Sequence, residues 1–307
     1  MVTVNPLRLA IPIIVLVLSS LAAGVSTGRA AATQMARARL ISDSRQIAPG
    51  QKFRLGLMFS IADESHIYWR NPGDAGLATH IEWKLPQGFV AGPLFWPAPV
   101  RLEEPGDLSV NAYTDSVLLF SWVQAPTMLD TKEVTLGVRA NWLACRKICV
   151  QEADSSSISL AVGDSPLAGP DYPRFEHFAA LVPQPAEGGR QIRGRARWTE
   201  SRNEPNIRIG VLVMEAEDKS LRLVDDDGSA VFFGDPSPDL ECENFHLDTR
   251  RSSPAQLVLH VRVRRLRGRQ WPVSWGGVFR AQALAADGDT LTLALQYNFS
   301  GKSEYNP

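Results

Sequence analysis

Lys132–Val150 reads KEVTLGVRANWLACRKICV, and its first half decides the fold. Val134, Leu136, Val138 and Ala140 alternate with polar residues, the period of a strand with one buried face. The strand runs into a cysteine pair, Cys145 and Cys149. Straight strand geometry would hold the two about 13 Å apart, at ~3.3 Å per residue. A disulfide needs its Cα atoms within about 4.4–6.8 Å, so a bonded pair requires a turn at Arg146-Lys147-Ile148. The two cations between the sulfurs favour thiolate, the form that attacks disulfides and binds soft metals. Spacing alone leaves a second reading open, a static structural disulfide of an exported protein.

Outward from this stretch the chain keeps reading as strands. Lys52–Ile61 (KFRLGLMFSI) alternates from Phe53, Ser116–Gln124 (SVLLFSWVQ) is a nearly continuous apolar run, and Ser156–Val162 alternates again. Gly163–Pro173 is rich in breakers and reads as a linker. Pro173–Val182 (PRFEHFAALV) carries Phe175, Phe178, Ala179 and Val182 at helical spacing, with proline suited to the first turn. The strand pattern then resumes through Ile207–Val213, Leu257–Val263, Val273–Ala281 and Thr290–Tyr297. Asp225–Gly228 (DDDG) reads as a hairpin turn and lacks the ligand spacing of a calcium loop. The expected fold is all-β: two immunoglobulin-like antiparallel sandwiches, residues 34–165 and 186–305, joined by a linker over 166–185 with one short helix.

The N-terminus reads as an address. Arg8 precedes an apolar run from Leu9 to Leu18, the length of a signal-peptide core and short for a membrane span. Gly28 and Ala30 offer a small-residue cleavage site. Residues 1–31 are therefore expected to be a signal peptide, cleaved near residues 24 to 32, and the mature chain to be periplasmic without a membrane span. Across its 307 residues the chain has 44% apolar and 21% charged residues and a net charge of −1, ordinary for a globular protein. That balance argues against nucleic acid as a partner. No hydrolase, P-loop or dinucleotide motif is present.

The stretch His66–Phe89 (HIYWRNPGDAGLATHIEWKLPQGF), followed by WLACRKIC, resembles the N-terminal periplasmic domain of the thiol–disulfide reductase DsbD family, closest to its ScsB-type (suppressor of copper sensitivity) branch. The resemblance covers about residues 36–162. It implies an immunoglobulin-like sandwich whose redox-active pair takes electrons from a membrane-linked thioredoxin-like domain and passes them to periplasmic thiol proteins. On this resemblance Cys145 and Cys149 are the catalytic pair. Cys149 forms the mixed disulfide with partners and Cys145 resolves it. Arg146 and Lys147 tune the thiolate. A cap loop is expected within Pro99–Asp107, where Leu102, Glu103, Glu104 and Pro105 supply no aromatic, a departure from the reductase itself. No membrane or thioredoxin-like domain follows the second sandwich. The expected partners are therefore thioredoxin-like periplasmic proteins and a separate membrane electron-transfer protein. No cofactor or metal is assigned.

Two other functions compete: a non-catalytic envelope protein-binding module with a structural disulfide, and a copper-handling protein in which His66 and His80 join the thiolates. Cys242, in LECENFHL, reads as a small buried hydrophobe left unpaired. His177, His246 and His260 read as structural or exposed. The run VRVRRLRGR, with Arg262, Arg264, Arg265, Arg267 and Arg269, reads as a strand with one solvated basic face. Trp69, Trp83, Trp96, Trp122 and Trp142 read as core or as cover for the cysteine face.

Overall fold

The computed structural model describes residues 34–187, 191–201, 203–225 and 228–300. The expected signal peptide lies outside the described residues. The chain opens with β1 (Ala36–Ser42), β2 (Ser44–Ile47), β3 (Lys52–Ile61), β4 (His66–Gly73), β5 (His80–Lys84) and β6 (Val90–Phe95). It continues with β7 (Val100–Glu104), β8 (Leu108–Tyr113), β9 (Ser116–Gln124), β10 (Glu133–Cys145), β11 (Cys149–Val162) and β12 (Leu167–Ala168). These make two sheets. One runs β1-β3-β9-β6, and the other β12-β2-β11-β10-β4-β8-β7, with β5 also paired to β10. Leu57 and Phe59 from the first sheet share one core with Ile67, Trp69, Leu136, Val138 and Trp142 from the second. Phe59 meets Trp142 edge-on with centroids 5.0 Å apart. This is the sandwich that period-two alternation predicts.

The apolar run in β9 has its own cause. A strand covered on both faces needs no polar side. The helix α1 (Tyr172–Ala180) covers the outer face: Phe175 is fully buried and stands edge-on to Phe120, with centroids 5.8 Å apart. Arg54 on β3 ties this helix down, bonding Asp43 at 2.7 Å and Glu176 at 2.6 Å.

The remaining strands are β13 (Gln184–Pro185), β14 (Ile192–Glu200), β15 (Ile207–Ala216), β16 (Arg222–Val224), β17 (Val231–Gly234), β18 (Leu240–Leu247), β19 (Gln256–Arg265), β20 (Ser274–Leu284) and β21 (Thr290–Ser300). They form a second pair of sheets, β14-β15-β19-β18 and β13-β21-β20-β16, with β17 also on β20. Trp198 stacks on Phe299 at 4.2 Å in its core. The DDDG segment departs from expectation. β16 and β17 do not pair with each other; both lie antiparallel to β20, one after the other along it. Asp225 instead accepts a bond from the Ala230 amide at 2.8 Å. The arginine run enters β19, where Val261 and Val263 are buried and Arg262 and Arg264 alternate with them on the more open face. β19 lies inside its sheet, and Arg262 and Arg264 both reach Glu243 on the adjoining β18.

The described residues cluster as one compact unit. Phe233 and Val278 from the second pair of sheets belong to the core of the first. Phe233 stands 6.0 Å from Trp69, Arg70 pairs with Asp235 at 2.5 Å, and Asn71 Nδ2 donates to the Gly234 carbonyl at 2.8 Å. Among the described residues no helix is long and apolar enough to cross a membrane.

Candidate redox site

β10 and β11 form one hairpin in continuous register from Glu133 opposite Ala161 to Cys145 opposite Cys149. The register therefore ends on the cysteines. Arg146-Lys147-Ile148 supplies the required turn, with the Arg146 amide donating to the Ile148 carbonyl at 3.2 Å. The Cα atoms come to 4.1 Å, and the two sulfurs are bonded.

The two sulfurs have different surroundings. Cys145 is 1% exposed, whereas Cys149 is exposed, as are Arg146, Lys147 and Ile148. The difference follows from neighbouring strands. β10 has β11 on one side and β4 on the other, where Cys145 stands opposite His66. Alternation along β4 sends Ile67 and Trp69 into the main core. It sends Tyr68 into a small cluster with Val110 and Cys145, against which Leu102, Leu143 and Ala75 pack. The Tyr68 hydroxyl donates to Cys145 Sγ at 3.1 Å. His66 Nε2 lies 3.0 Å from Glu104 Oε1, and the His66 and Tyr68 rings meet edge-on at 5.0 Å.

Burial and charge set the protonation of this group. Burial pushes Tyr68 up to about 12, with Glu104 adding to the effect, so the hydroxyl keeps its proton and remains a donor. Burial also lowers His66, and Glu104 partly offsets it. The group is thus a protonated phenol, an imidazole biased toward its neutral form and a carboxyl, adjoining one buried sulfur.

The segment expected to form a cap loop is a strand pair. β7 and β8 form a hairpin in which Leu102 faces Val110, and the bend falls at Pro105-Gly106-Asp107. Leu102 packs in the cysteine cluster and Glu104 reaches His66. Glu103 is exposed and accepts a bond from Ser109 at 2.7 Å, and Pro105 is exposed. The structure thus brings Leu102 and Glu104 to the pair and leaves Glu103 and Pro105 off it.

The glycine-rich stretch after β4 serves the same site. Gly76 has φ 98°, and a Cβ there would sit 2.2 Å from the Tyr68 ring. Only glycine lets the chain fold back on that ring. Tyr68 is the residue beside the cysteines that their spacing could not point to. Its signal was the position of HIYW before the glycines, with His66 and Tyr68 two apart on one face. His66 therefore has a carboxylate partner, while His80 is exposed on β5. Among the described residues no cluster of three or more His, Cys, Asp or Glu side chains could hold a metal.

Cys242 lies elsewhere, on β18 in a cleft of about 260 Å³ between the two sandwiches. Burial pushes its thiol up to about 12, with nearby Arg101 opposing the shift, so it is not a ready nucleophile.

Residues 37–159 match the family model described as thiol:disulfide interchange protein DsbD, N-terminal. Among solved structures, the N-terminal periplasmic domain of ScsB from Proteus mirabilis aligns at 17% identity and TM-score 0.54, over 88% of this chain and 95% of that one. The DsbD N-terminal domain of Neisseria meningitidis in its reduced form aligns at 11% identity and TM-score 0.25, over 42% of this chain and 89% of that one. No curated protein matches the sequence. The family match covers both the cysteine hairpin and the strands that wall it, and the ScsB alignment extends the shared fold across both sandwiches. Residues 37–159 form a DsbD-family N-terminal domain, a thiol–disulfide interchange module.

Proposed function

We propose that this chain is a periplasmic electron relay that exchanges disulfides with thioredoxin-like proteins through Cys149, with Cys145 as the resolving thiol. The observation that carries the reading is the asymmetry of the pair: one sulfur exposed at a hairpin tip, the other buried under Tyr68 and Leu102.

In the reducing direction the Cys149 thiolate attacks one sulfur of a partner's disulfide. The partner's other sulfur leaves as a thiolate, and a mixed disulfide forms. Cys145, as thiolate, then attacks Cys149 Sγ, and the partner departs with both sulfurs reduced. The module is left oxidised, having passed on two electrons. Run in reverse, a donor thiolate attacks Cys149 and Cys145 is the leaving group. In both directions a thiolate develops on Cys145, where the Tyr68 hydroxyl stabilises it by a charge-assisted hydrogen bond. Arg146 and Lys147 place positive charge beside Cys149.

The position of the bond also suits an exchanging pair. A ring closed by a sequence separation of 4 contributes only about 2 kcal/mol by unfolded-chain entropy, the low end for disulfides. The sandwich can therefore persist in both redox states. The same reading takes residues 1–31 as the cleaved signal, 34–165 as the redox module and 186–305 as a second module. It takes a separate membrane electron-transfer protein as the donor.

The test is to express Cys145→Ser and Cys149→Ser singly, quench with acid in the presence of a thioredoxin-like protein, and run a non-reducing gel. A covalent complex should accumulate with Cys145→Ser only. Trapping with Cys149→Ser only reverses the roles, and trapping with neither assigns the pair to an inert structural bond.

A further inference from the structure

We propose that the second sandwich holds the cap hairpin closed over Cys145, with Arg101 as its latch, and so directs partners to Cys149. The proposal rests on reading the cysteines as the exchange pair.

The argument starts from alternation along β7. Successive side chains of a strand point to opposite faces. Leu102 and Glu104 take the face toward the site, where they meet the Tyr68–Val110–Cys145 cluster and His66. Arg101 takes the other face and enters the second sandwich. Its Nη2 donates to the Phe232 carbonyl at 3.2 Å, and its guanidinium lies 4.8 Å from the Phe245 ring centre and 5.8 Å from that of Phe233. The strand is also held at its start, where Arg280 on β20 donates to the Pro99 carbonyl at 3.4 Å. The cap is thus one strand thick, with the redox pair in front and the second sandwich behind. Lifting Leu102 off Cys145 means pulling Arg101 from its aromatic seat.

The choice of residue supports a latch over a plain seal. Arg101 Nε is buried without a hydrogen-bond partner, and burial lowers the guanidinium's pKa. A buried cation with an unmet donor is a poor stabiliser compared with an apolar side chain of similar volume. A seam built only for adhesion would favour leucine or methionine there. An arginine lying over aromatic rings and bonded to one carbonyl gives a contact that breaks and re-forms as a unit.

The consequence is selectivity between two sulfurs in one bond. With the cap closed, an incoming thiolate reaches Cys149 and is shut out from Cys145. Opening the latch exposes both, and attack at the wrong sulfur would join the partner to the thiol meant to resolve it. Arg101 is therefore a positioning residue that acts through Leu102, and the second sandwich has a role in the chemistry without contributing a reacting atom.

The test reads Cys145 directly. In full-length Cys149→Ser protein, reduced and native, Cys145 is labelled with iodoacetamide and its rate followed by peptide mass mapping. Labelling should be slow. Arg101→Ala should accelerate it by about ten- to hundredfold, the factor for losing one charged hydrogen bond. Leu102→Ala should do the same, and the double variant should be no faster than the faster single one, because both act on one opening. Phe245→Leu, which alters only the second sandwich, should accelerate labelling less, and Arg101→Lys should restore most of the protection. These two keep the test sound if Arg101→Ala fails to fold. Unchanged labelling in Arg101→Ala or Phe245→Leu while Leu102→Ala accelerates it overturns the latch and leaves the exchange reading intact. Fast labelling before any change overturns the cap as well. Failure of the partner-trapping experiment with normal labelling removes the exchange reading alone.

Discussion

Two hairpins, one in each sandwich, are built alike and end differently. β10–β11 and β20–β21 are both long antiparallel pairs, each with one face in a core. The second turns at Ala285–Asp289, where the Ala285 amide donates to Asp289 at 2.9 Å and Gly288 takes φ 92° with open space around it. Residues 286–289 at its tip are exposed, and the strand beside it, β16, pairs with β20 only as far as Leu284 and leaves the turn uncovered among the described residues. The first turns in three residues, ends on a disulfide, and is walled by β4 and by the β7–β8 arm. The chemistry thus comes from what neighbouring strands bring to one tip, since the sandwich repeats without it.

Removing the reacting sulfur should break the comparison most completely. Cys149→Ser should abolish disulfide exchange with a thioredoxin-like partner, followed by insulin or dithiol turnover, while leaving the melting temperature within a few degrees of wild type, since the short ring contributes about 2 kcal/mol. Next in size is a matched pair of glycines. Gly76→Ala must find room for a Cβ 2.2 Å from the Tyr68 ring at φ 98°, and should cost about 3 kcal/mol. Gly288→Ala meets no neighbour within 4 Å and should cost about 1 kcal/mol, from its positive φ alone. Denaturant midpoints at constant m-value measure both; equal losses would show that the wall of the first hairpin's tip is as tolerant as the open turn of the second.

A smaller change sharpens the role of the wall. Tyr68→Phe keeps the ring and deletes the donor to Cys145. It should weaken the reduced, thiolate-bearing state by about 1 kcal/mol and slow partner release by up to about tenfold. Rapid-quench kinetics of the resolving step measure this, and an unchanged rate would remove Tyr68 from the reaction. The smallest effect is in pH. His66 has its pKa lowered by burial, against the opposing pull of Glu104, so the unfolded chain takes up a proton that the folded one resists. The unfolded state then binds more protons, and stability rises with pH. This contribution is complete above the unfolded value of 6.5 and declines as pH falls from there toward the folded pKa. His66→Gln should flatten that part of the stability curve; His260, lowered in the same direction, is common to both proteins and drops out of the difference.

Much of this was legible in residue order. Val134 to Ala140 gave the strand, the two cysteines marked its end, and Phe175 with Phe178 gave the helix within two residues at each end. Those signals are local: period and spacing need no knowledge of the far chain. The misses were nonlocal. DDDG looked like a hairpin because turn chemistry is read over four residues, whereas the strands on either side of it were claimed by β20, some fifty residues later. Tyr68 lay inside the HIYWRNPGDAG stretch with no role attached to it, and Arg101 carried no motif of its own. What makes them matter is a sulfur 77 positions away in one case and a carbonyl 131 away in the other. The cap was expected as a loop because the family resemblance implied one; Val100–Glu104 between Pro99 and Pro105 is instead a strand, because it pairs with β8.

The seam between the sandwiches also sets an order of assembly. The cysteines are separated by 4 positions, while Arg70 and Asp235 are separated by 165. Short loops close early, and distant contacts wait for the chain between them. The β10–β11 hairpin can therefore form, and its thiols can meet an oxidant, while β17 and β18 are still unplaced and the rear of the cap is bare. Once those strands dock, the same thiols are reached from one side only. On that order the newly made chain should be chemically more permissive than the finished one, with the last strands to dock ending the period of indiscriminate oxidation.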